Sequence, residues 1–569
     1  MAAIAPAAAP TVAQPLTAQE RRLRHDLGFW SLTATSFGGI IGSGWLYGSF
    51  YGARIAGPAA LVSWVIAGLA VALVALVLIE LGASRPEAGG SVRWPLYANG
   101  RLVGTVVGWT ALLTLASDTE VLAIIQYAAH YLPWLLHGSS LSVGGILVAA
   151  VLEAVLTVLN WYGIRLFARI NTAVTAVKFA VPAITVVALL FSGIHPDHLT
   201  HVGGFAPRGW SAVLSAVATG GLIYSVNGFQ PPVDLSGEAR NPRRDVPRSI
   251  LVAIAAAVLL YLVLQFAFIV ALPDSALAHG WSGLDFSSPF GQLALVLNFG
   301  WLASLLYADA VISPAGSEFV GVAESGRTTY ALAKSRLLPK ALLEIEGRSG
   351  VPRRALVLNF VIGLLVLIPL HSWISLVTVI GDVFLLSYAI SAVAAGTFKA
   401  ASATALAGWI PGIRWIAPAS FLVSTEIIYW SGWSDIKVAL PLALAGLLVF
   451  VIVRGKDRSL IQELRTGGWL AAYLVVLIVL SYLGSDDFGG NGSIRAPWDS
   501  VVAGVIGLAL YVWAVREGVG HIERTAGLDV GDSPTVSEAL SLIARGDTLE
   551  DGALPGGGAE DAAPQPRHG

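Results

Sequence analysis

The sequence contains no cysteine and unusually few charged residues. Among its 569 residues, 12% are Asp, Glu, Lys or Arg, against roughly 25% in an average soluble domain. The absence of cysteine excludes disulfide bonds, thiolate metal sites and cysteine nucleophiles. A net charge of -2 gives no reason to expect a nucleic acid partner. The low charge argues strongly against an ordinary soluble domain.

Several enzyme motifs are also missing. The sequence has no HExxH, GxSxG or GxxxxGK[ST] pattern, the spacings that supply zinc ligands, a nucleophilic serine and a phosphate-binding loop. It therefore predicts no catalytic site and no cofactor, and the chain is not expected to be an enzyme. The N-terminus has no basic segment before an apolar run, so no cleaved signal peptide is predicted.

Long apolar runs make up most of the chain, and 55% of the residues are hydrophobic. A helix needs about 20 mostly apolar residues to cross the hydrocarbon core. These runs predict an all-α membrane protein with about fourteen transmembrane spans, near residues 28–53, 58–84, 103–129, 141–163, 172–193, 210–236, 248–272, 294–322, 355–371, 374–397, 415–433, 437–453, 468–484 and 499–515.

The basic residues predict the orientation, because Lys and Arg accumulate in cytoplasmic loops. With the N-terminus inside, all but five of the 34 Lys and Arg residues fall in cytoplasmic segments. The exceptions are Arg54, Arg208, Lys437 and Arg495 outside, and Lys178 within a span. The sequence therefore predicts a multi-pass protein of the cell membrane with both termini in the cytoplasm.

The predicted organisation has four parts. Residues 1–25 and 519–569 lack the apolar content to form a core, and we expect them to be disordered cytoplasmic tails. Residues 26–400 hold spans one to ten, the predicted transporter core. Residues 401–518 hold four spans predicted to be peripheral.

Two of the predicted spans contain helix-breaking residues. The first reads FGGIIGSGWLYGS, and the sixth reads GGLIYSVNGFQPPVDL. Glycines in a span can serve close helix packing, but two interrupted helices five spans apart are typical of transporters built from inverted repeats. We therefore predict unwound segments at mid-membrane, with spans one to five repeated as spans six to ten.

Such breaks suit a zwitterionic ligand. The half-helix that begins near Gly44 would point free N–H groups at a carboxylate. The half-helix that ends near Ser225 would offer unpaired carbonyls to an ammonium group. An α-amino acid carries both groups.

Four motifs resemble those of the amino acid-polyamine-organocation transporter superfamily. They are GGIIGSGW in span one, GEARNPRRDVPRSI after span six, and YALAKSRLLPK and GVPRRALVLN after span eight. The stretch GFQPPVDLSGEARNP looks most like members described as aspartate-proton symporters. The resemblance implies a LeuT-type fold, a 5+5 inverted repeat, and an amino acid permease that works by proton-coupled symport.

The resemblance also implies which residues bind substrate. The positions carried over are Ile41, Gly42, Ser43, Gly44, Tyr224, Ser225, Asn227 and Gly228. Asn227 and Gln230 stand where family members often have an aromatic or acidic residue, which leaves the side-chain preference open.

Lys178 is the basic residue predicted within a span. A lysine there must snorkel to the interface, pair or lose its proton. Proton-coupled relatives carry a lysine in the fifth span where sodium-coupled ones bind a cation, so the resemblance implies that Lys178 couples proton and substrate movement. Its expected contacts are the backbone of residues 39–41, which includes Gly39, and Ser313 or Ser317.

Acidic residues also fall within predicted spans, where they are expected to face the bundle interior or a wet cavity. Four lie on helices that line the family's pathway and are candidate proton or substrate contacts: Asp118, Glu120, Asp309 and Glu318. Such carboxylates would attract a basic or polyamine substrate, which conflicts with the aspartate resemblance. His195, His198 and His201 have a spacing that could hold a metal, but solvated loop histidines are more common, and we predict no metal site.

Other functions remain open at this stage. An exchanger of amino acids or polyamines, a channel, or a non-transporting sensor would keep the same fold. The expected partners are an amino acid substrate and the lipid bilayer, and the sequence leaves the oligomeric state open.

Overall fold

Helices make up most of the described chain. The computed structural model describes residues 27–85, 90–116, 118–161, 164–234, 236, 239–335, 337–344, 351–402, 405–454 and 460–526. Apolar segments away from water favour helices, because each backbone N–H and C=O then finds a partner within its own segment. Within these ranges, two short strands, β1 (Leu136–His137) and β2 (Ser140–Leu141), pair antiparallel.

The helices follow one another along the whole described chain. The first seven are α1 (Phe29–Ile40), α2 (Gly44–Ala56), α3 (Ala60–Ser84), α4 (Gly90–Leu115), α5 (Thr119–Ala128), α6 (Val143–Trp161) and α7 (Ile164–Phe191). The next six are α8 (Gly209–Thr219), α9 (Leu222–Ser225), α10 (Pro231–Asp234), α11 (Pro242–Ala271), α12 (Pro289–Val296) and α13 (Gly300–Lys334). The last six are α14 (Arg353–Leu367), α15 (Trp373–Ala401), α16 (Ile413–Trp430), α17 (Trp433–Arg454), α18 (Leu460–Leu483) and α19 (Trp498–Ala526).

Eight helical segments of the described chain are long and apolar enough to cross a membrane. They are Gly44–Ser84, Gly90–Ala128, Val143–Trp161, Pro242–Ala271, Trp373–Ala401, Trp433–Ile452, Gln462–Leu483 and Trp498–Thr525. The predicted spans at 294–322, 355–371 and 415–433 coincide with α13, α14 and α16, which do not belong to this group. The helices thus lie where spans were predicted, while the count of fourteen stays a prediction.

Both predicted breaks coincide with helix ends. α1 ends at Ile40 and α2 begins at Gly44. α9 ends at Ser225, and the next helical turn, α10, begins at Pro231. Proline suits the first turn of a helix, where its missing N–H would have no partner. The two prolines therefore begin a helical turn, and the break lies before them.

A third break was missed by the sequence analysis. The predicted span at 103–129 is divided, because α4 ends at Leu115 and α5 begins at Thr119. The sequence SDTE at 117–120 has the S-x-x-E spacing that marks a helix start, and that signal could have found the break. The break places Asp118 and Glu120 at the start of α5, where both side chains are buried.

The described residues between 27 and 523 form one compact unit. α15 lies at its centre, packed against α4 and α16, and most of its residues are buried. α1 packs along α11. Of the helices predicted to be peripheral, α16 also packs on α3 and α8, and α17 and α18 pack on α4.

The predicted N-terminal tail, residues 1–25, lies outside the described residues, and so does most of the predicted tail at 519–569. α19 continues as a helix through Ala526, past the predicted start of that tail.

Candidate substrate and proton site

The two predicted breaks meet inside the protein. A Cβ added to Gly39 would collide with the Gly228 carbonyl oxygen, and one added to Gly228 with the Gly39 carbonyl oxygen. A Cβ on Gly44 would lie 2.7 Å from the Ser225 Cα. Gly228 also has φ +95°, which non-glycine residues rarely adopt. Glycine at these positions lets the two interrupted segments touch backbone to backbone.

The N-terminus of α2 holds the side chain of Glu120. The Ser43 backbone N–H donates to the Glu120 carboxylate, with N···O distances of 2.8 and 3.1 Å to its two oxygens. The Ser43 hydroxyl donates to Oε1 at 3.1 Å. A Cβ on Gly42 would lie 2.6 Å from the same oxygen. Glu120 is 7% exposed, so a buried carboxylate of the protein itself fills the place predicted for the substrate carboxylate.

The facing carbonyls already have partners. The Asn227 backbone N–H donates to the Tyr224 carbonyl at 3.0 Å, and the Tyr261 hydroxyl donates to the Ser225 carbonyl at 3.0 Å. The expectation of unpaired carbonyls at Tyr224 and Ser225 was therefore wrong in detail. The turn after Ser225 is closed by its own backbone hydrogen bond, and the Tyr261 hydroxyl from α11 supplies the other donor at the break.

Asn227 belongs to a polar cluster. The Tyr388 hydroxyl donates to the Asn227 Oδ1 at 2.5 Å. The Gln230 amide donates to the Tyr388 hydroxyl and, at 3.4 Å, to the Asn227 Oδ1. The sequence analysis singled out Asn227 and Gln230 but not Tyr388, which lies on α15, far along the chain. These three side chains form a neutral hydrogen-bonding surface beside the break.

Aromatic side chains surround Ser43. The Trp373 indole N–H donates to the Ser43 hydroxyl at 2.9 Å. Its ring stacks on Tyr47 at 4.6 Å and on Tyr51 at 5.8 Å between centroids, and Tyr224 lies edge-on at 6.3 Å. Sequence reasoning missed Trp373, because an isolated tryptophan at the start of a late helix carries no local signal. The hydrogen bond from the Trp373 indole therefore orients the Ser43 hydroxyl.

Lys178 reaches from α7 to α1 and α13. Its ammonium donates to the Gly38 carbonyl at 3.2 Å and to the Ser317 hydroxyl at 2.6 Å. The residue is 4% exposed, and its charge interacts with those of Glu120 and Asp309. The backbone contact thus falls one residue before the expected stretch 39–41, which includes Gly39, and the serine is Ser317.

Ser313 has a different partner from the one expected. Its hydroxyl donates to Asp309 Oδ1 at 2.5 Å, one helical turn away on α13. The second oxygen of that carboxylate, Oδ2, is buried without a hydrogen-bond partner. Ser313 therefore connects to Lys178 only through the neighbouring charge of Asp309.

Three buried carboxylates form a second group. Oxygen atoms of Asp118, Glu153 and Glu318 lie within 4.8 Å of one another. One oxygen of Asp118 and one of Glu153 have no hydrogen-bond partner, while Thr157 donates to the other Glu153 oxygen at 3.4 Å. The structure thus separates the four predicted pathway carboxylates into two places, and it adds Glu153 to Asp118 and Glu318. We call these three residues the carboxylate trio.

Other buried acids serve the packing of loops and helices. Glu80 accepts hydrogen bonds from the backbone N–H groups of Gly408 and Ile410. Asp382 accepts one from the Ser431 hydroxyl at 2.8 Å. These carboxylates satisfy backbone and hydroxyl donors away from the two breaks, so we leave them out of the candidate site.

The predicted histidine group is only partly assembled. His195 and His198 lie together, with their ring centroids 5.2 Å apart. His201 instead lies beside Asp197, at 3.7 Å. The third group near the pair is Asp274, whose Oδ1 lies 2.9 Å from His198 Nε2, within hydrogen-bond distance. A spacing argument within one loop could not have found Asp274, because it follows α11.

Comparisons with known proteins agree with this architecture. The profile of the family described as amino acid permease matches residues 27–484. The glutamate/serine transporter AimA of Bacillus subtilis (strain 168) is 35% identical over 510 residues, which is 87% of this chain and 94% of the relative. The aspartate-proton symporter of the same organism is 33% identical over 517 residues, 88% of this chain and 98% of the relative.

A more distant relative has a different described substrate. The branched-chain amino acid permease BcaP of Bacillus subtilis (strain 168) is 24% identical over 468 residues, 78% of this chain and 96% of the relative. The family and its members are permeases, not enzymes, and the apolar helices fit a multi-pass membrane protein. The chain belongs to the amino acid permease family and is a membrane transporter of amino acids.

Proposed function

We propose that this chain is a proton-coupled amino acid symporter in which Glu120 holds the substrate-carboxylate site until it is protonated. The observation that carries the proposal is the pair of bonds from the Ser43 N–H to the Glu120 carboxylate, at 2.8 and 3.1 Å. The N-terminus of a helix attracts one negative group through its free N–H groups and its dipole. Glu120 and the substrate carboxylate would compete for that position.

Competition for one site supplies the coupling. Two ionised carboxylates a few ångströms apart in a buried place repel each other strongly. A proton on Glu120 removes that repulsion and weakens its hold on Ser43, so that a substrate carboxylate can take the Ser43 and Gly44 donors. Proton binding then favours substrate binding, and by linkage substrate binding favours protonation.

Lys178 is the proposed second element of the coupling. It holds the Gly38 carbonyl at the end of α1 and the Ser317 hydroxyl on α13. Neutralising Glu120 removes a negative charge that now interacts with the ammonium. The Lys178 ammonium is then less stabilised in its buried position. Protonation of Glu120 would therefore weaken its hydrogen bonds to Gly38 on α1 and Ser317 on α13. Ile41, Gly42 and Gly228 complete the proposed site.

The carboxylate trio is a proposed part of the proton pathway. It adjoins the site, because Glu318 interacts with the backbone of Glu120. Three negative charges within 4.8 Å would repel one another in a region of low dielectric constant. Asp118 and Glu318, with Glu153, are therefore suited to share protons that pass to or from Glu120, and Asp309 is suited to receive one near Lys178.

Small polar and acidic amino acids are the proposed substrates. The relatives described as glutamate/serine transporter and aspartate-proton symporter cover nearly all of this chain. The Asn227, Gln230 and Tyr388 cluster offers neutral hydrogen-bonding groups for a polar side chain. The substrate ammonium would lie beside the break after Ser225, where the Ser225 carbonyl accepts one hydrogen bond from Tyr261 and has a second lone pair to offer.

The finer architecture is also part of the proposal. Two interrupted helical segments that touch at Gly39 and Gly228 support a LeuT-type 5+5 inverted repeat. The distribution of Lys and Arg supports about fourteen spans in the cell membrane, with both termini in the cytoplasm. The site needs no cofactor, since a proton is the proposed coupling ion.

Uptake by the purified protein in lipid vesicles tests the proposal. Labelled serine, aspartate, glutamate and ornithine would be offered with an acid-outside pH gradient, and a dye inside the vesicles would report protons. Saturable uptake of serine or an acidic amino acid, with protons entering alongside, is the expected result. Uptake that proceeds equally without a gradient, or unsaturable flux, would reject proton symport.

Exchange is the second candidate, because the same site serves both modes. An exchanger would take up labelled amino acid only when the vesicles already contain unlabelled amino acid. Uptake that depends on internal amino acid and ignores the pH gradient would favour exchange over symport.

A further inference from the structure

The segment that follows α7 and the turn that follows α11 bring two imidazoles and a carboxylate together. Nitrogen atoms of His195 and His198 and a carboxylate oxygen of Asp274 lie within 4.8 Å of one another. None of these residues belongs to the transport site described above. His195 and Asp274 are exposed, while His198 is buried.

Local backbone structure explains the pairing of the histidines. His195 precedes a 3₁₀ turn, Pro196–Leu199, in which side chains three residues apart lie above one another. The two rings are accordingly stacked at 5.2 Å, with 21° between their planes. The His195 backbone N–H donates to the Val270 carbonyl at 2.9 Å, which fixes this turn against the end of α11.

Both ring nitrogens of His198 face oxygen acceptors. Nδ1 lies 3.3 Å from the Ile269 carbonyl oxygen and Nε2 lies 2.9 Å from Asp274 Oδ1. A neutral imidazole has one N–H, so it can donate to only one of the two. With Nδ1–H on the carbonyl, the lone pair of Nε2 points at a carboxylate oxygen. That arrangement needs a positive charge between or on the two groups.

We propose that His195, His198 and Asp274 form a binding site for a divalent transition metal ion such as Zn²⁺. Two imidazoles and one carboxylate are ligands that Zn²⁺ accepts, with water as a fourth ligand. A ligating histidine usually donates its other N–H to a backbone carbonyl, which orients the ring, as the Ile269 carbonyl is placed to do here. Asp274, 87% exposed on its side chain, leaves room for the water.

Charge at the site fits a cation. Asp274 supplies a carboxylate oxygen within 4.8 Å of a ring nitrogen of each histidine, and a carboxylate attracts a metal cation. A bound ion would tie the segment after α7 to the turn after α11. Among the described residues these two segments already meet at several points, which include the His195 to Val270 backbone bond and the contact between His198 and Asp274.

Zinc titration of the purified protein, freed of any histidine tag, tests the site. A zinc-sensitive dye would compete with wild type and with the variants His195→Ala, Asp274→Asn and His201→Ala. Both His195 and Asp274 are exposed, so their loss leaves the fold intact. His201 is the matched control, because it lies in the same loop but outside the cluster.

The expected result is one saturable Zn²⁺ site per chain. His195→Ala and Asp274→Asn should each weaken it about tenfold or more, with His201→Ala unchanged and Mg²⁺ unable to compete. A wild type without a saturable site would overturn the proposal and leave a simple hydrogen bond between His198 and Asp274. Equal binding by all three variants would overturn it as well, since the zinc would then lie elsewhere.

Discussion

The Ser43 backbone N–H donates to the Glu120 carboxylate at 2.8 Å, and so closes the helix N-terminus that an amino acid carboxylate would use. Glu120 comes from the start of α5, where the chain breaks after Leu115. The Glu120 side chain therefore reaches Ser43 from α5, a different helix from the interrupted pair α1 and α2. A residue of the protein thus occupies the position that we propose for the substrate carboxylate.

Substituting Gly39 or Gly228 by Ala should disable transport. In each case the new methyl group would collide with the facing carbonyl oxygen across the two breaks, and Gly228 has φ +95°, which alanine disfavours. We expect a loss of about 1–3 kcal/mol in the free energy of unfolding, together with lost uptake. Thermal unfolding of the purified variants and vesicle uptake measure the two effects.

Gly468→Ala provides the control for that prediction. Gly468 lies in α18 with no atom within 4 Å of an added Cβ, so the variant should unfold and transport as wild type does. If Gly39→Ala behaved like Gly468→Ala, the two breaks would not be in contact as described.

Lys178→Ala should abolish uptake driven by a pH gradient. The substitution removes the bonds to the Gly38 carbonyl and the Ser317 hydroxyl and leaves the Glu120 charge without its buried partner. Exchange of internal for external amino acid should survive better than gradient-driven uptake, because exchange needs no net proton movement. Lys437→Ala, at an exposed lysine near the start of α17, is the control, and full gradient-driven uptake by Lys178→Ala would refute the role of Lys178.

Trp373→Phe should weaken substrate binding while keeping an aromatic ring at this position. Phenylalanine can still stack on Tyr47 but cannot donate to the Ser43 hydroxyl. The loss of one such bond costs about 0.5–1.5 kcal/mol, which predicts an increase of about two- to twelvefold in the KM for uptake. Trp415→Phe, at an exposed tryptophan on α16, should leave the KM unchanged. An unchanged KM in Trp373→Phe would mean that Ser43 is held without the indole.

The helices and the two central breaks could be predicted from sequence, because apolar length and clustered Gly and Pro are local signals. Lys178 could also be singled out locally, since a charge in an apolar run is conspicuous. Glu120 was named as a pathway carboxylate, but its position on Ser43 was not foreseen, because it depends on the break between α4 and α5.

Partners from distant parts of the chain were beyond local reasoning. Trp373, Tyr388 and Tyr261 meet the breaks from α15 and α11, and only the packing of those helices brings them there. Packing also brings Asp274, in the turn after α11, next to His195 and His198, in the segment after α7. Long-range packing decides such contacts, and a single sequence gives no spacing from which to infer them.

The most direct test compares gradient-driven uptake with exchange in wild type and in Glu120→Gln. Glutamine resembles a permanently protonated glutamate, so the substrate should still bind Ser43 and exchange should continue. Uptake driven by an acid-outside gradient should fall to the level seen without a gradient, while Glu426→Gln, at a half-buried carboxylate on α16, should retain it. Gradient-driven uptake by Glu120→Gln equal to that of wild type would contradict the claim that Glu120 links the proton to the amino acid.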